Sequence, residues 1–387
     1  MHVVLAPDCF TGTLTAIAAA EAMAAGWADA APHDRLTLLP LSDGGPGFLD
    51  VLSSALDGQM IATTVRDPLG RDVPAGVLLV QQAEEVTAYV ESAQAAGLHL
   101  LSADERDPAR TSTYGVGQLL LAARAAGATR IVVGLGGSGT NDGGAGMLAA
   151  LGAGSPGDLA AGGMALRALD AEALAGLAQV RRDWRDVEIV AATDVDNPLL
   201  GLQGASAVFG PQKGASPQVA QALEDALGHY ADLLWRRVPP PADLLTGAPR
   251  RLDKEPGAGA AGGLGFGLFL LGGRRRSGVD LVLEAVGFAD LVAAADLVVT
   301  GEGSFDWQSL RGKVVAGVAA AALATGTPAL VIAGQVLIGR REGMSVGLSG
   351  MYAVASDPAQ QLAAFADPVG TLRARAARVA RTWSPMR

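Results

Sequence analysis

Residues 2–6, His2-Val3-Val4-Leu5-Ala6, are almost uniformly aliphatic, which suits a parallel strand buried on both faces. Thr15 then stands where a helix N-cap is needed, and an alanine-rich helix is predicted to about residue 31. Residues 36–41 read as a second strand and 47–56 as a helix, giving a β-α-β-α opening. The rhythm changes after that. Residues 61–65, 73–80 and 86–90 read as strands with no helix-length segment between them, the signature of an antiparallel or mixed sheet. Helices follow at 114–126, 143–151 and 217–236, with strands at 130–134 and 187–193. Pro239-Pro240-Pro241 predicts a stiff surface turn. From residue 297 the α/β order returns: strand 297–300, helix 314–324, strands 329–333 and 351–355, and a single closing helix over 359–382.

This order predicts an α/β protein in which a Rossmann-like doubly wound domain is built from both chain ends, residues 1–64 and 286–387. A second mixed α/β domain, 65–285, is inserted into it, with a cleft between the two. Strand 130–134 fits either sheet. The length of 387 residues suits this division, at roughly 100–200 residues per domain.

Composition narrows the class. Half of the residues are hydrophobic, enough for a sizeable core, so disorder is excluded as the main state. The charge balance of 29 basic against 39 acidic residues argues against a nucleic-acid or anionic-membrane partner. The lone Cys9 excludes an internal disulfide, and the four histidines lack the spacing of a zinc site. The chain start has no basic region and reaches Asp8 directly, which reads as a first strand and predicts a cytoplasmic protein. Residues 314–339 carry no charge over 26 positions, but Thr325-Gly326-Thr327-Pro328 breaks the run. A buried helix followed by a buried strand is expected there rather than a membrane span. Oligomeric state is not legible.

Ligands of open parallel sheets bind beyond the carboxyl ends of the strands. Five predicted strand ends carry an acid there, mostly beside small residues: Asp8; Asp43 in Ser42-Asp43-Gly44-Gly45; Asp142 in the loop after 130–134; Asp194 in Asp194-Val195-Asp196-Asn197-Pro198; and Glu302 with Asp306 in Gly301-Glu302-Gly303-Ser304-Phe305-Asp306. Such residues are also ordinary turn formers. The loop Gly136-Gly137-Ser138-Gly139-Thr140-Asn141-Asp142-Gly143-Gly144 has the glycines and hydroxyls that let backbone N–H groups approach a phosphate. Carboxylates nearby are useful when Mg²⁺ lies between, since Mg²⁺ takes one or two carboxylates plus phosphate oxygens. Two of the chain's three lysines, Lys213 and Lys313, sit beside glycine.

Other chemistries fit less well. Neither lysine completes a phosphate loop of the Gly-x-x-x-x-Gly-Lys type. Gly134–Gly139 and Gly257–Gly262 each match the dinucleotide pattern Gly-x-Gly-x-x-Gly, but 52 glycines in 387 residues give about one such match by chance. A nicotinamide-dependent dehydrogenase also wants a base such as histidine, and none is suitably placed. No Gly-x-Ser-x-Gly elbow has a histidine partner.

At these loops the chain resembles the glycerate kinases of the bacterial type I family. The likeness runs through Ala6-Pro7-Asp8-Cys9-Phe10-Thr11-Gly12, Leu39-Pro40-Leu41-Ser42-Asp43-Gly44-Gly45, Thr111-Ser112-Thr113-Tyr114-Gly115-Val116-Gly117, the stretch 134–146, and the segments 194–200, 209–214, 257–265 and 301–313, in the family's order. The resemblance implies ATP-dependent phosphorylation of D-glycerate, usually at the 2-hydroxyl, with Mg²⁺, and two α/β domains enclosing a cleft. The chain departs from the family's pattern at Cys9 (usually Ser), Thr11 (usually Lys), Pro46 (usually Glu) and Ser304 (usually Arg). A different hydroxy acid as substrate, a compensating Arg66 or Arg311, or a relative of weak or absent activity that binds nucleotide would each accommodate the lost cations.

Chemistry assigns roles as follows. Asp194 accepts or orients the hydroxyl proton, with Lys213 and Asp8 as further catalytic candidates. Asp43 and Glu302 hold Mg²⁺. Gly136, Gly137, Ser138, Thr140, Asn141, Asp142, Asn197, Asp306 and Lys313 bind nucleotide or substrate.

Overall fold

The computed structural model describes residues 1–10, 12–238, 247, 249–310 and 312–384. Pro239-Pro240-Pro241, Thr11 and Arg311 lie outside the described residues. Among those described, the strands are β1 (His2–Pro7), β2 (Arg35–Leu38), β3 (Gln59–Arg66), β4 (Asp72–Gln82), β5 (Glu85–Glu91), β6 (Arg130–Gly134), β7 (Glu188–Ala192), β8 (Arg274–Arg276), β9 (Leu297–Phe305), β10 (Ala329–Val336) and β11 (Leu348–Ala353).

The contacts divide the chain into two units. The first comprises Met1–Asp43, Asp50–Leu56 and Ser277–Arg387. Its sheet has the order β11-β10-β9-β1-β2 and is parallel throughout. Val3, Leu5, Val299 and Ile332 are buried beneath Met23 and Trp27 of the helix Ala16–Ala30, as the unbroken aliphatic runs require. Thr15 caps that helix by accepting from the Ala18 N–H at 3.1 Å. The uncharged run resolves into the helix Val314–Thr325 and strand β10. No helix among the described residues is long and apolar enough to cross a membrane.

Two expectations fail in this unit. The closing helix is two helices, Pro358–Ala366 and Pro368–Trp383. Pro368 has no N–H to donate and forces Asp367 out of the helical region, to φ −138° and ψ 77°. Asp367 then caps the second helix by accepting from the Gly370 N–H at 2.9 Å. Strand β9 also continues to Phe305, so Glu302 lies on a strand and not in a loop. Its register partner on β10 is Ala333.

The second unit comprises Gly44–Leu49 and Asp57–Arg276. Its sheet, β3-β4-β5-β6-β7-β8, is mixed: β3, β4 and β5 pair antiparallel, and β5 to β8 pair parallel. The predicted strand 130–134 therefore belongs to this sheet. An apolar cluster that includes Val90, Val133, Ile189, Leu227 and Phe266 packs it.

Candidate functional site

In the first unit, the carboxyl end of β1 lies beside the middle of β9, with Pro7 opposite Gly301. Beyond β2 the chain stays against β1: the Leu39 and Leu41 N–H groups donate to the Leu5 and Pro7 carbonyls at 2.8 and 2.9 Å. That path delivers Asp43 to the sheet end that already carries Asp8 and Glu302. Gly301 fits there because a Cβ would collide with the Ile332 carbonyl oxygen and come within 2.6 Å of Met23 Cε. The strands can therefore close on one another just before Glu302.

The three carboxylates act on one another. Burial, then the negative charge of Asp43, then that of Glu302, push the Asp8 carboxyl up to about 8, although it accepts from the Cys9 N–H at 2.7 Å. Burial pushes Glu302 up to about 7, with Asp306 and Asp43 adding repulsion and Ser309 and Lys313 opposing it. Glu302 is 6% exposed, and its Oε1 has no hydrogen-bond partner. Buried like charges with an orphaned carboxylate oxygen are an environment that a cation would relieve. Among the described residues no group of three His, Cys, Asp or Glu side chains is arranged to hold a metal by protein ligands alone. Mg²⁺ normally takes one or two carboxylates and completes its shell with water and phosphate oxygens. Asp306 is engaged locally, its Oδ1 accepting from the Gln308 N–H at 2.8 Å. Lys313 stands at the head of the helix Val314–Thr325.

In the second unit the glycine-rich loop joins β6 to the helix Ala145–Ala150. Its polar residues mostly point inward. Asp142 is fully buried and accepts from the Thr113 N–H (2.8 Å), the Thr113 hydroxyl (2.9 Å), and the Gly144 and Gly146 N–H groups (both 3.1 Å). Burial raises its pKa, and these donors pull it back. Asp142 is thus a tie between the Thr111–Tyr114 segment and the loop. Lys213 is 1% exposed and donates to Ser138 Oγ at 2.9 Å and to the Thr140 carbonyl at 2.6 Å. Burial pushes its ammonium down to about 7, against the pull of Asp142. Its hydrogen bonds hold the loop, a role that flanking glycines and a loop setting do not disclose in sequence.

Asn141 donates from Nδ2 to Ser206 Oγ at 3.0 Å, while its Oδ1 and the Thr140 hydroxyl are buried without partners. Gly137 is the exposed point of the loop, with Gly136 beside it half-buried. The amides of Gly136 and Gly137 donate no hydrogen bond among the described residues. Half-buried Asp194 follows β7, where the Thr193 N–H donates to the Arg276 carbonyl at 3.0 Å. Asn197 donates from Nδ2 to the Gln203 carbonyl at 2.8 Å. The second dinucleotide-like glycine run serves packing: a Cβ on Gly259 would strike the Pro198 carbonyl, and one on Gly262 the Thr140 carbonyl.

The candidates therefore form two groups, one per unit. Asp8, Asp43, Glu302, Asp306 and Lys313 belong to the first, and the glycine-rich loop, Asp194, Asn197 and Lys213 to the second. Sequence reasoning missed Thr113 and Ser309, whose hydroxyls serve buried carboxylates; only their place inside or beside family-like motifs could have flagged them.

The model of the glycerate kinase family matches residues 3–384. The chain belongs to the glycerate kinase family. It is accordingly a phosphotransferase with an alcohol group as acceptor. It is 43% identical over 341 residues to a glycerate kinase of Bacillus subtilis strain 168, covering 87% of this chain and 85% of that one. To a glycerate 2-kinase of Escherichia coli strain K12 it is 38% identical over 343 residues, covering 87% and 86%. The crystal structure of a protein assigned as glycerate kinase 2 from Salmonella typhimurium LT2 superposes with a TM-score of 0.75 at 36% identity, covering 99% of this chain and 98% of that one.

Proposed function

We propose that this glycerate kinase family member transfers the γ-phosphoryl group of ATP to the 2-hydroxyl of D-glycerate, giving 2-phosphoglycerate. The observation that carries the reading is the set of mutually repelling carboxylates Asp8, Asp43 and Glu302 at the carboxyl end of a parallel sheet, with Glu302 Oε1 left without a partner. Asp43 and Glu302 would hold Mg²⁺, directly or through water, with Asp8 beside them. The ion would neutralise phosphate charge. Lys313 adds a cation whose field already reaches Glu302.

In the second unit the amides of Gly136 and Gly137 suit an anion. Lys213 and Asp142 keep that loop in shape from beneath. Asp194 orients the acceptor hydroxyl and takes its proton as the new P–O bond forms and the ADP oxygen leaves with the electron pair of the broken one. Incubation with D-glycerate, ATP and Mg²⁺, followed by ³¹P NMR of the product, tests both substrate and position. A second reading, an acceptor other than glycerate, is favoured by exposed Ser304, which stands where the family usually has arginine. In that case other small hydroxy acids are turned over faster than glycerate in the same assay.

A further inference from the structure

The chain carries ten more acids than bases, yet arginines of the second unit gather around one pair of cavities. One, of about 490 Å³, is bordered by Arg181, Arg182 and Arg185 of the segment 177–185, with Val187 and Leu271. The other, of about 420 Å³, is bordered by Arg181 again, by Arg250, Arg274 and Arg275, and by Leu252 and Phe269. Arg181 and Gly272 belong to both. Each volume is of the size that small ligands use, roughly 300–1,000 Å³.

The charge is only partly cancelled locally, with Arg185 meeting Asp186 at 3.5 Å. Glu255 is the one acid on these walls, and Arg250 holds it at 2.8 Å. Arg275 is paired with Asp196 at 2.7 Å. The guanidinium groups of Arg181 and Arg274 have no hydrogen bond or ion pair among the described residues. Arg181 is half-buried, and loss of water alone depresses its pKa with no acid to restore it. A guanidinium that surrenders hydration without gaining a counter-ion costs stability, and so do like charges around one cavity. An anion would offset both costs, and the planar fork of arginine suits a phosphate well.

The position separates this cluster from the phosphoryl-transfer groups. Val187 precedes β7 and Leu271 to Gly273 precede β8, so the cavities lie at the amino-terminal end of the parallel strands. The glycine-rich loop and Asp194 follow the opposite, carboxyl ends of β6 and β7. We propose that these arginines form a second anion site, which takes a small molecule carrying two or more phosphate charges on an apolar body. Arg181 and Arg274 grip the phosphates, and Val187, Leu252, Phe269 and Leu271 face the body.

The test is calorimetric titration of the full chain with inorganic pyrophosphate in EDTA, comparing the wild type with Arg181→Ala/Arg274→Ala and Arg181→Lys/Arg274→Lys. The wild type should bind pyrophosphate, the alanine pair should lose at least about tenfold in affinity, and the lysine pair should regain part of it. Phosphotransfer at saturating substrates should be unchanged in both variants, which also certifies that they fold. The proposal is overturned if the wild type takes up no pyrophosphate, if the alanine pair binds it as well as the wild type, or if phosphotransfer falls in step with binding.

Discussion

Lys213 sets its Nζ 2.6 Å from the carbonyl oxygen of Thr140, inside the protein, and Ser138 Oγ receives a second hydrogen bond at 2.9 Å. The lysine is the buckle of the glycine-rich loop. Its ammonium is depressed to about 7, whereas an unfolded lysine holds its proton to about 10.5.

The sign of the resulting pH dependence follows. Between about pH 7 and 10.5 the unfolded chain carries a proton on Lys213 that the folded chain lacks, so raising the pH favours the folded state. Below pH 7 both states are protonated and the dependence vanishes. Lys213→Met removes it. Thermal melts from pH 7 to 10 should show the wild type gaining on the variant, and a constant difference would contradict the assignment. The variant should also lose about 100-fold in kcat/KM, because the loop is no longer held in register.

Asp142 and Thr113 form a buried pair in which each serves several groups. Asp142→Ala leaves the Thr113, Gly144 and Gly146 N–H groups without their acceptor, and should cost about 3 kcal/mol in urea unfolding. Thr113→Val removes the hydroxyl that donates to Asp142 and accepts from the Met147 N–H, and should cost about 1–2 kcal/mol. The double variant should be less destabilised than the sum, since both changes break one network. Strict additivity would refute the coupling.

The carboxylates of the first unit are buried close enough to repel one another. In EDTA at pH 8, Asp8→Asn should raise the melting temperature by about 2–4 °C, because one buried charge leaves the company of Asp43 and Glu302. Mg²⁺ should stabilise the wild type more than it stabilises Asp43→Asn or Glu302→Gln. An equal response to Mg²⁺ in all three proteins would remove these residues from the metal site.

Gly301 should not tolerate a methyl group. With the Ile332 carbonyl and Met23 Cε in the way, Gly301→Ala should destabilise by about 1–3 kcal/mol and lower activity by displacing Glu302. Unchanged melting and turnover would show that β9 and β10 have room to separate.

Much of this architecture was written in hydrophobic runs. Val3-Val4-Leu5 and Ile131-Val132-Val133 announce buried parallel strands because both faces must be covered. Strand β8 could not be read that way. Arg274-Arg275-Arg276 offers no apolar signal, and it is a strand only because its backbone pairs with β7. The last residues of β9 looked like a loop because Gly301 and Gly303 are poor strand formers, yet pairing with β10 overrides that preference. Candidate acids were legible as strand-end carboxylates. Burial was not: Lys213 read as a catalytic candidate and Asp142 as a ligand-binding residue, because their partners, 73 and 29 residues away, leave no local pattern. The arginine cavities draw on residues from 181 to 275, a proximity that no local pattern carries.

The most direct measurement is ³¹P NMR of D-glycerate incubated with ATP, Mg²⁺ and the enzyme, run beside Asp194→Asn. The account predicts 2-phosphoglycerate and ADP in equal amounts from the wild type, and no product from a variant that melts normally. Failure of the wild type to phosphorylate glycerate, or near-normal turnover by Asp194→Asn, would contradict it.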